Sequence, residues 1–199
     1  MRCGGDNAEL MAAKRSLRKL RRSFYDRDAI DVARELIGKI LVHRRAGEEF
    51  RARVVETEAY VGPHDLACHA SKGRTGRTEV MFGRAGHAYV YLIYGMYQML
   101  NIVTAGVGDA QAVLIRAAEP LGGWESDLSG PGKLAREMQI GRAQNGLDLT
   151  GSELFLLDDP ADRPRVVRSK RVGIDYAGEW VHALLRFYDA QSASVSKPR

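Results

Sequence analysis

A β-hairpin with a tyrosine at its tip is the sequence feature that most restricts the fold. Two runs rich in aromatic and β-branched residues, Tyr89 to Ile93 and Met96 to Val103, stand on either side of Tyr94-Gly95. Such runs predict strands, and a short glycine-containing connection predicts a hairpin. Four of the eight tyrosines lie between Tyr89 and Tyr97. Because a ring at a hairpin tip has no core to enter, we predict an antiparallel pair that projects an aromatic side chain.

The other elements predict helices and strands mixed within one domain. Apolar residues recur at helical spacing from Asp28 to Ile37, behind acidic residues that can cap a helix. A second helix is predicted from Lys133 to Ile140, after a proline and a glycine. The predicted strands are Ile40 to His43 and Glu49 to Val55, joined by a hairpin loop, then Ala112 to Ala117, Leu154 to Leu157 and Leu184 to Tyr188. No internal repeat or long linker divides residues 23–199, so we predict one α+β domain.

The positive charge of the chain is concentrated at its amino terminus. The formal net charge is +5, and residues 1–22 alone hold seven basic and two acidic residues. We predict that residues 1–22 form a basic, flexible arm. The alternative is that this arm has an accessory role in contacting DNA phosphates. The rest of the chain is neutral overall. Any site for a polyanion there must therefore come from local clustering of basic side chains.

The cysteines and histidines argue against a disulfide framework and against a metal. Cys3 and Cys68 are too few for a disulfide framework and indicate a reducing compartment. His64 and His69 flank Cys68, but no second Cys/His cluster completes a four-ligand zinc set, so we predict no metal. No apolar run reaches the roughly 20 residues that a membrane-spanning helix needs, and we predict no membrane contact.

Two carboxylates follow an apolar strand face and are the first chemical candidates. If the strand that contains Phe50 stays regular, Glu56, Glu58 and Tyr60 point the same way. This change from apolar to acidic and aromatic side chains indicates the lip of a pocket. The alternative is that the strand has left the core and its carboxylates are solvated or paired with Arg51 or Arg53. Two carboxylates could also act as an acid and base pair on a sugar.

Three further segments are basic. The segment Ser71 to Arg84 is predicted to be a flexible loop that can contact phosphate, with a solvated surface loop as the alternative. The segment Ser129 to Lys133 only superficially resembles a phosphate loop, but a helix amino terminus beside a lysine can hold a DNA phosphate. We interpret the run from Arg163 to Arg171 as a solvated connection.

A series of short motifs extends along nearly the whole body of the chain. They are Val32-Ala33-Arg34-Glu35-Leu36-Ile37-Gly38-Lys39, Val55-Glu56-Thr57-Glu58-Ala59-Tyr60, Asp65, His69, Met81-Phe82-Gly83, Tyr89-Val90-Tyr91, Tyr94-Gly95-Met96, Asn101, Val113-Leu114-Ile115-Arg116-Ala117, Gly130-Pro131-Gly132-Lys133-Leu134 and Arg186-Phe187-Tyr188. Any one of them is weak, but their order and spacing are specific. From about Phe24 to Ser196 the chain resembles the alkyladenine DNA glycosylases, also called 3-methyladenine or methylpurine DNA glycosylases.

The resemblance implies a single α+β domain around a curved antiparallel sheet, with helices around it and a protruding hairpin that enters the minor groove of DNA. It implies a base-excision repair enzyme that hydrolyses the N-glycosidic bond of alkylated or deaminated purines. The class includes 3-methyladenine, 7-methylguanine, hypoxanthine and ethenoadenine. We expect a monofunctional enzyme without cofactor or metal, acting as a monomer on double-stranded DNA. It would lie in the cytoplasm with the nucleoid in a bacterium, or in the nucleus or an organelle of a eukaryote.

The resemblance also implies roles for individual side chains. Glu58 would activate the attacking water, and Arg116 would lie beside that water or the flipped nucleotide. The base pocket would be formed by Tyr60, His69, Tyr91 and Asn101, of which the last would disfavour normal guanine. The DNA contacts would be made by Tyr94, which fills the gap left by the flipped nucleotide, Met96 beside it, and the phosphate-binding Arg74 and Lys133.

Two departures from the family pattern concern the pocket. Glu79 stands where a polar, uncharged residue is expected, and the stretch from Asn101 to Arg116 is irregular. The preferred damage is therefore less constrained by the sequence than the type of reaction. The alternative function is a DNA-binding module that recognises damage without cutting.

Overall fold

A computed structural model describes residues 17–196 of the chain. Its helices are α1 (Arg22–Tyr25), α2 (Ala29–Leu36) and α3 (Pro131–Glu137). Its strands are β1 (Arg18–Lys19), β2 (Ile40–Arg45), β3 (Glu48–Tyr60), β4 (Ala88–Ile93), β5 (Tyr97–Thr104), β6 (Gln111–Leu121), β7 (Leu154–Asp158), β8 (Val166–Ser169) and β9 (Arg186–Asp189). Four 3₁₀ helices cover His69–Lys72, Glu79–Phe82, Arg142–Gln144 and Gly178–His182. The antiparallel sheet with a few helices confirms the predicted α+β class.

The sheet is organised around β3. Every pairing in it is antiparallel, and the main path runs β1-β7-β2-β3-β6-β5-β4. The first half of β3 pairs with β2, whereas Glu56 to Glu58 pair with β9. Along its other edge β3 pairs with β6, with shifts in register on both sides of Glu56. Such irregularities re-aim side chains, and this one lies in the predicted catalytic strand.

Helix α2 packs on the sheet as predicted. The Asp28 side chain accepts a hydrogen bond of 2.8 Å from the Ile30 amide and caps the helix. Val32, Ala33 and Leu36 are fully buried in the main core, and the Thr57 hydroxyl donates to the Ala33 carbonyl at 2.8 Å. This bond ties the helix to β3 next to the two glutamates.

A second, smaller apolar cluster lies on the other side of the sheet. It comprises Cys68, Ala70, Met81, Tyr89, Val103, Ala110 and Ala112. Tyr60 and Tyr91 pack against it while remaining partly exposed. The cluster fixes these two rings against a rigid base, which is what a binding wall requires.

Several element predictions need correction. The first hairpin has only Ala46-Gly47 between its strands, both with positive φ, because the strands are longer than predicted. The strand predicted to end at Val55 continues to Tyr60, fully buried from Val54 to Ala59, so it has not left the core. Helix α3, predicted from Lys133 to Ile140, begins at Pro131 and ends at Glu137. No helix within residues 17–196 is long and apolar enough to cross a membrane.

The predicted basic segments also differ from expectation. The segment predicted as a loop from Ser71 to Arg84 begins within the 3₁₀ helix His69–Lys72 and contains a second one, Glu79–Phe82. The run after Arg163 contains strand β8. Most of the predicted arm, residues 1–16, lies outside the described residues. Regular structure nevertheless begins before Ser23, because β1 pairs with β7 and Arg22 forms an ion pair with Asp148.

Candidate functional site

A cavity of about 260 Å³ opens where β3, the β4–β5 hairpin, β6 and the segment after β8 meet. Its lining brings together six of the ten predicted site residues, namely Tyr60, His69, Tyr91, Tyr94, Asn101 and Arg116. The remaining wall is largely apolar and includes Met81, Met99, Leu114 and Ile174. An apolar cavity with a few convergent polar groups is typical of a small-molecule site.

Glu58 lies directly behind this wall and is fully buried. Its carboxylate accepts hydrogen bonds from the Tyr60 hydroxyl at 2.9 Å and from the Val172 amide at 2.8 Å. Arg116 Nη1 lies 3.4 Å from Glu58 Oε1. Pairing with Arg51 or Arg53 is therefore wrong for Glu58. The carboxylate is held at the cavity by a phenol, an amide and a guanidinium group.

Arg51 and Arg53 form ion pairs with acidic residues other than Glu56 and Glu58. Arg51 contacts Glu49, and Arg53 forms ion pairs with Glu119, Asp162 and Asp189. Glu56 is fully buried and bound by Arg116 Nε at 2.8 Å and by Arg186 Nε at 2.7 Å. Arg116 thus contacts both carboxylates.

Burial and these ion pairs determine the protonation states at the site. Burial opposes the charged form of Arg116, but the carboxylates of Glu58 and Glu56 raise its pKa above the ordinary value. Burial, and after it the Glu58 charge, raise the pKa of Tyr60 well above its ordinary value. At neutral pH Arg116 is therefore a cation and the Tyr60 phenol a hydrogen-bond donor.

His69 and Tyr91 form an aromatic wall of the cavity. Their ring centroids are 4.5 Å apart in an edge-to-face arrangement, and His69 Nδ1 lies 2.9 Å from the Tyr89 hydroxyl. Burial, and then the positive charges of Arg77 and Lys72, lower the pKa of His69 to about 4. The imidazole is therefore neutral at pH 7, so this wall presents rings without a positive charge.

Asn101 is buried at the rear of the cavity on β5. Its Nδ2 donates to the carbonyls of Tyr89 at 3.2 Å and Met99 at 3.4 Å. Both bonds join it to the hairpin backbone. Because the amide nitrogen is turned to the backbone, the side-chain oxygen is the group available for contact with a ligand.

The hairpin places Tyr94 at its tip, as the sequence predicted. The Tyr94 side chain is 82% exposed and the Met96 side chain 66% exposed. Tyr94 and Gly95 both have positive φ, which a tight hairpin turn of the primed type requires. A tyrosine accepts this conformation at some energetic cost, which marks the position as one to explain by function.

Arg74 and Lys133 do not line the cavity, and each contacts an acidic side chain. Arg74 forms two hydrogen bonds with Glu79, at 2.8 and 2.6 Å, and Lys133 Nζ lies 2.6 Å from Asp127. These pairs are solvent-exposed. Any phosphate contact by either cation would therefore compete with an acid of the chain itself.

The structure also reveals residues that the sequence reasoning missed. Arg171 was interpreted as part of a solvated connection, yet it is buried and forms an ion pair with the fully buried Asp65. Its guanidinium lies 4.8 Å from the centroid of the Tyr60 ring. Tyr176, 69% exposed at the cavity mouth, was also missed. No signal in the sequence marks Arg171, because the place of the neighbouring Val172 and Gly173 in the cavity wall is visible only in the structure.

The two histidines near Cys68 make other contacts in the structure. Within residues 17–196 no three His, Cys, Asp or Glu side chains are grouped to hold a metal ion. Burial raises the pKa of the Cys68 thiol to about 11, so at neutral pH it is not the thiolate that metals bind. His64 instead packs against Trp180 in a tilted arrangement, with ring centroids 5.5 Å apart.

Comparison with known proteins concerns the chain as a whole. The family model for methylpurine-DNA glycosylase matches residues 23–193. A protein of Legionella pneumophila (strain Lens) named "Putative 3-methyladenine DNA glycosylase" is 50% identical over 183 residues, covering 91% of this chain and all of the relative. Proteins of the same name from Methanocella arvoryzae and Anaeromyxobacter sp. (strain Fw109-5) are 52% and 51% identical, covering 89% and 90% of this chain and 96% and 93% of their own lengths.

Proposed function

The chain belongs to the methylpurine-DNA glycosylase family, and we propose that it hydrolyses the N-glycosidic bond of alkylated or deaminated purines in duplex DNA. The observation that carries this proposal is the buried Glu58 carboxylate directly behind an aromatic cavity. Flipping a damaged purine into the cavity would bring its glycosidic bond toward this carboxylate. The target must leave the base stack, because its reacting carbon is inaccessible within the duplex.

Glu58 is proposed as the general base. Three described groups approach its carboxylate, whereas an ionised carboxylate offers about four lone-pair sites, so it can also accept a proton from water. As the base departs, the sugar gains oxocarbenium-like positive charge, which the carboxylate also stabilises. A positioned general base accelerates such a step by about 10²- to 10⁴-fold. Arg116 is proposed to orient the water or the flipped nucleotide beside Glu58.

The aromatic walls are proposed to hold the flipped base. Base stacking on an aromatic ring contributes about 1–3 kcal/mol per base, which offsets the cost of extrusion. Purines alkylated at N3 or N7 are cationic, and electron-rich tyrosine rings attract cations. The neutral state of His69 adds no repulsion to this attraction. Asn101 in the cavity wall is proposed to disfavour normal guanine, because the side chain would crowd the exocyclic amino group of that base.

We propose simple hydrolysis, without strand cleavage. None of the residues that line the cavity is a lysine, so none of them offers the amine that a Schiff-base mechanism would need. The proposed partner is double-stranded DNA, bound by a monomer, and we expect the protein in the compartment that holds the genome.

A panel of duplexes tests the proposal and identifies the substrate. Each duplex would contain one lesion, namely 3-methyladenine, 7-methylguanine, hypoxanthine or ethenoadenine, and release of free base would be scored. We expect release from at least one of them and none from the undamaged duplex. Tight binding to all four without release of base would instead identify a damage-recognising module.

Tyr94→Ala is expected to weaken base flipping and damage selectivity. The exposed ring at the tip is proposed to fill the space left by the flipped nucleotide, and its loss removes about 1–3 kcal/mol of stacking. The measurements are the affinity for damaged and undamaged duplexes and the fluorescence of a 2-aminopurine placed beside the lesion. Val107→Ala is the control, because Val107 is similarly exposed, at 74%, outside the hairpin. Unchanged binding and excision in Tyr94→Ala would remove it from this role.

Glu79→Gln is expected to tighten DNA binding. The substitution releases Arg74 from its ion pair and makes its charge available to a phosphate. Each added phosphate contact steepens the dependence of log affinity on log salt by about one. Asp31→Asn on α2 is the matched control, because it breaks an exposed Arg–Asp pair with the same change in net charge. If both variants change affinity equally, Arg74 makes no specific phosphate contact.

A further inference from the structure

Glu56 lies two residues before the proposed base but does not line the cavity. Its Oε1 accepts from Arg116 Nε at 2.8 Å, Arg186 Nε at 2.7 Å and Ser196 Oγ at 2.9 Å, and its Oε2 accepts from the Ser196 amide at 2.6 Å. All of these partners are protein groups. Because both oxygens of this carboxylate already accept hydrogen bonds, Glu56 is poorly placed to take a proton from water.

The position of Arg116 depends on this carboxylate. Its contact with Glu56 is 2.8 Å, whereas its contact with Glu58 is 3.4 Å, so Glu56 is the closer partner. A guanidinium group is a rigid planar fork, and fixing Nε fixes the direction of the terminal nitrogens. The bond to Glu56 therefore points Nη1 toward Glu58.

Charge balance explains why a second carboxylate is needed. The buried cluster holds two carboxylates, Glu56 and Glu58, and two guanidinium groups, Arg116 and Arg186. Without Glu56, Arg116 would pair with Glu58 alone. A full ion pair lowers the proton affinity of a carboxylate, which makes it a weaker base.

A single residue near the end of the described chain completes the cluster. Besides its two bonds to Glu56, Ser196 accepts a hydrogen bond at Oγ from Arg116 Nη2 at 3.2 Å and at its carbonyl from Arg186 Nη2 at 3.1 Å. The preceding Val195 is buried against Val55 and Ala117. The segment at Val195-Ser196 is thus packed against the rear of the proposed catalytic site.

We propose that Glu56 is a positioning residue that holds Arg116 beside the proposed base, and that Ser196 supports this arrangement through its hydrogen bonds with both side chains. The inference rests on the proposed function of Glu58. Glu56 acts by sharing the Arg116 guanidinium group with Glu58, so that Arg116 is oriented beside Glu58 without pairing with it alone. The charged and titratable groups that face Glu58 are Arg116 from β6, Tyr60 from β3, Tyr91 from β4 and Arg171 from the segment after β8.

Glu56→Gln tests the proposal by the pH dependence of single-turnover base release. We expect the rate at pH 7 to fall about 10²-fold, as for a displaced catalytic group. We also expect the acid limb of the profile to move to lower pH by about one unit, because a cation that pairs with one carboxylate alone favours the charged form of that carboxylate. A merely structural role would reduce the folded fraction, measured by circular dichroism, without moving the acid limb.

Ser196→Ala is a second variant, because removing a buried charge at Glu56 can prevent folding. It deletes one hydroxyl and leaves the backbone bond to Glu56. We expect about a tenfold loss of rate and an acid limb shifted in the same direction, and Ser196→Thr should restore both by returning the hydroxyl. Asp189→Asn is the matched control, since Asp189 is a buried carboxylate paired with Arg53 away from the cavity.

The outcomes separate this inference from the proposed function. If the unchanged protein releases no base from any damaged duplex, the proposed function fails. If it releases base and the acid limb is the same in Glu56→Gln and Ser196→Ala, only the positioning role of Glu56 is overturned. A shift of equal size in Asp189→Asn would also overturn it, because the effect would then be general to buried carboxylates.

Discussion

Glu58→Gln is expected to abolish the release of free base from a duplex that contains 3-methyladenine or hypoxanthine, while binding of that duplex stays nearly intact. The amide is isosteric with the carboxylate but cannot take a proton from water or stabilise positive charge on the sugar. Loss of a positioned general base lowers the rate by about 10²- to 10⁴-fold. The measurement is single-turnover base release, with affinity determined in parallel by fluorescence anisotropy.

The control for this substitution is Glu48→Gln, an exposed glutamate at the start of the same strand. It should release base at the unchanged rate. Full activity in Glu58→Gln would contradict the assignment of the general base. Loss of binding together with catalysis would indicate that the carboxylate supports the pocket rather than the reaction.

Arg116→Leu is expected to destabilise the protein and to remove most of its activity. The side chain is 9% exposed and contacts two fully buried carboxylates, Glu56 and Glu58. After the substitution, Arg186, which contacts Glu56, is the remaining guanidinium group of the described cluster. Breaking a buried ion pair by removing one partner costs about 3–5 kcal/mol in the free energy of unfolding. Urea unfolding measures the stability, and single-turnover base release measures the activity.

Two further variants make the Arg116 prediction specific. Arg116→Lys keeps the charge but loses the planar fork, so it should recover more stability than activity. Arg136→Leu removes an exposed arginine paired with Glu137 and should change stability by less than about 1 kcal/mol. A similarly small effect of Arg116→Leu would show that the buried cluster does not depend on this cation.

The parts of the site that local pattern encodes were predictable. Strand residues alternate between faces, so the sequence indicated that Glu58 and Tyr60 share a side, and they are joined by a hydrogen bond. Gly95 between two strand-like runs predicted the turn at Tyr94-Gly95, and an aspartate before a helical pattern predicted the cap of α2 at Asp28. These features depend on neighbours within a few positions.

The parts that depend on distant contacts were not predictable from local pattern. Arg171 was interpreted as solvated because it lies in a basic run, but Asp65, 106 positions away, buries it. Ser196 reaches Glu56 over 140 positions, and nothing around Ser196 in the sequence marks it as part of a site. One local contact was not predicted either, because the flexible loop expected around Arg74 gives no reason for an ion pair with Glu79, five positions away.

Base release from a single damaged duplex, scored together with strand integrity, tests the central claim most directly. The unchanged protein would be incubated in excess with a duplex labelled on the damaged strand, and free base would be quantified by chromatography. We predict one free base for each alkali-labile abasic site, with the strand intact until alkali is added. Tight binding of the duplex without release of base would contradict the account.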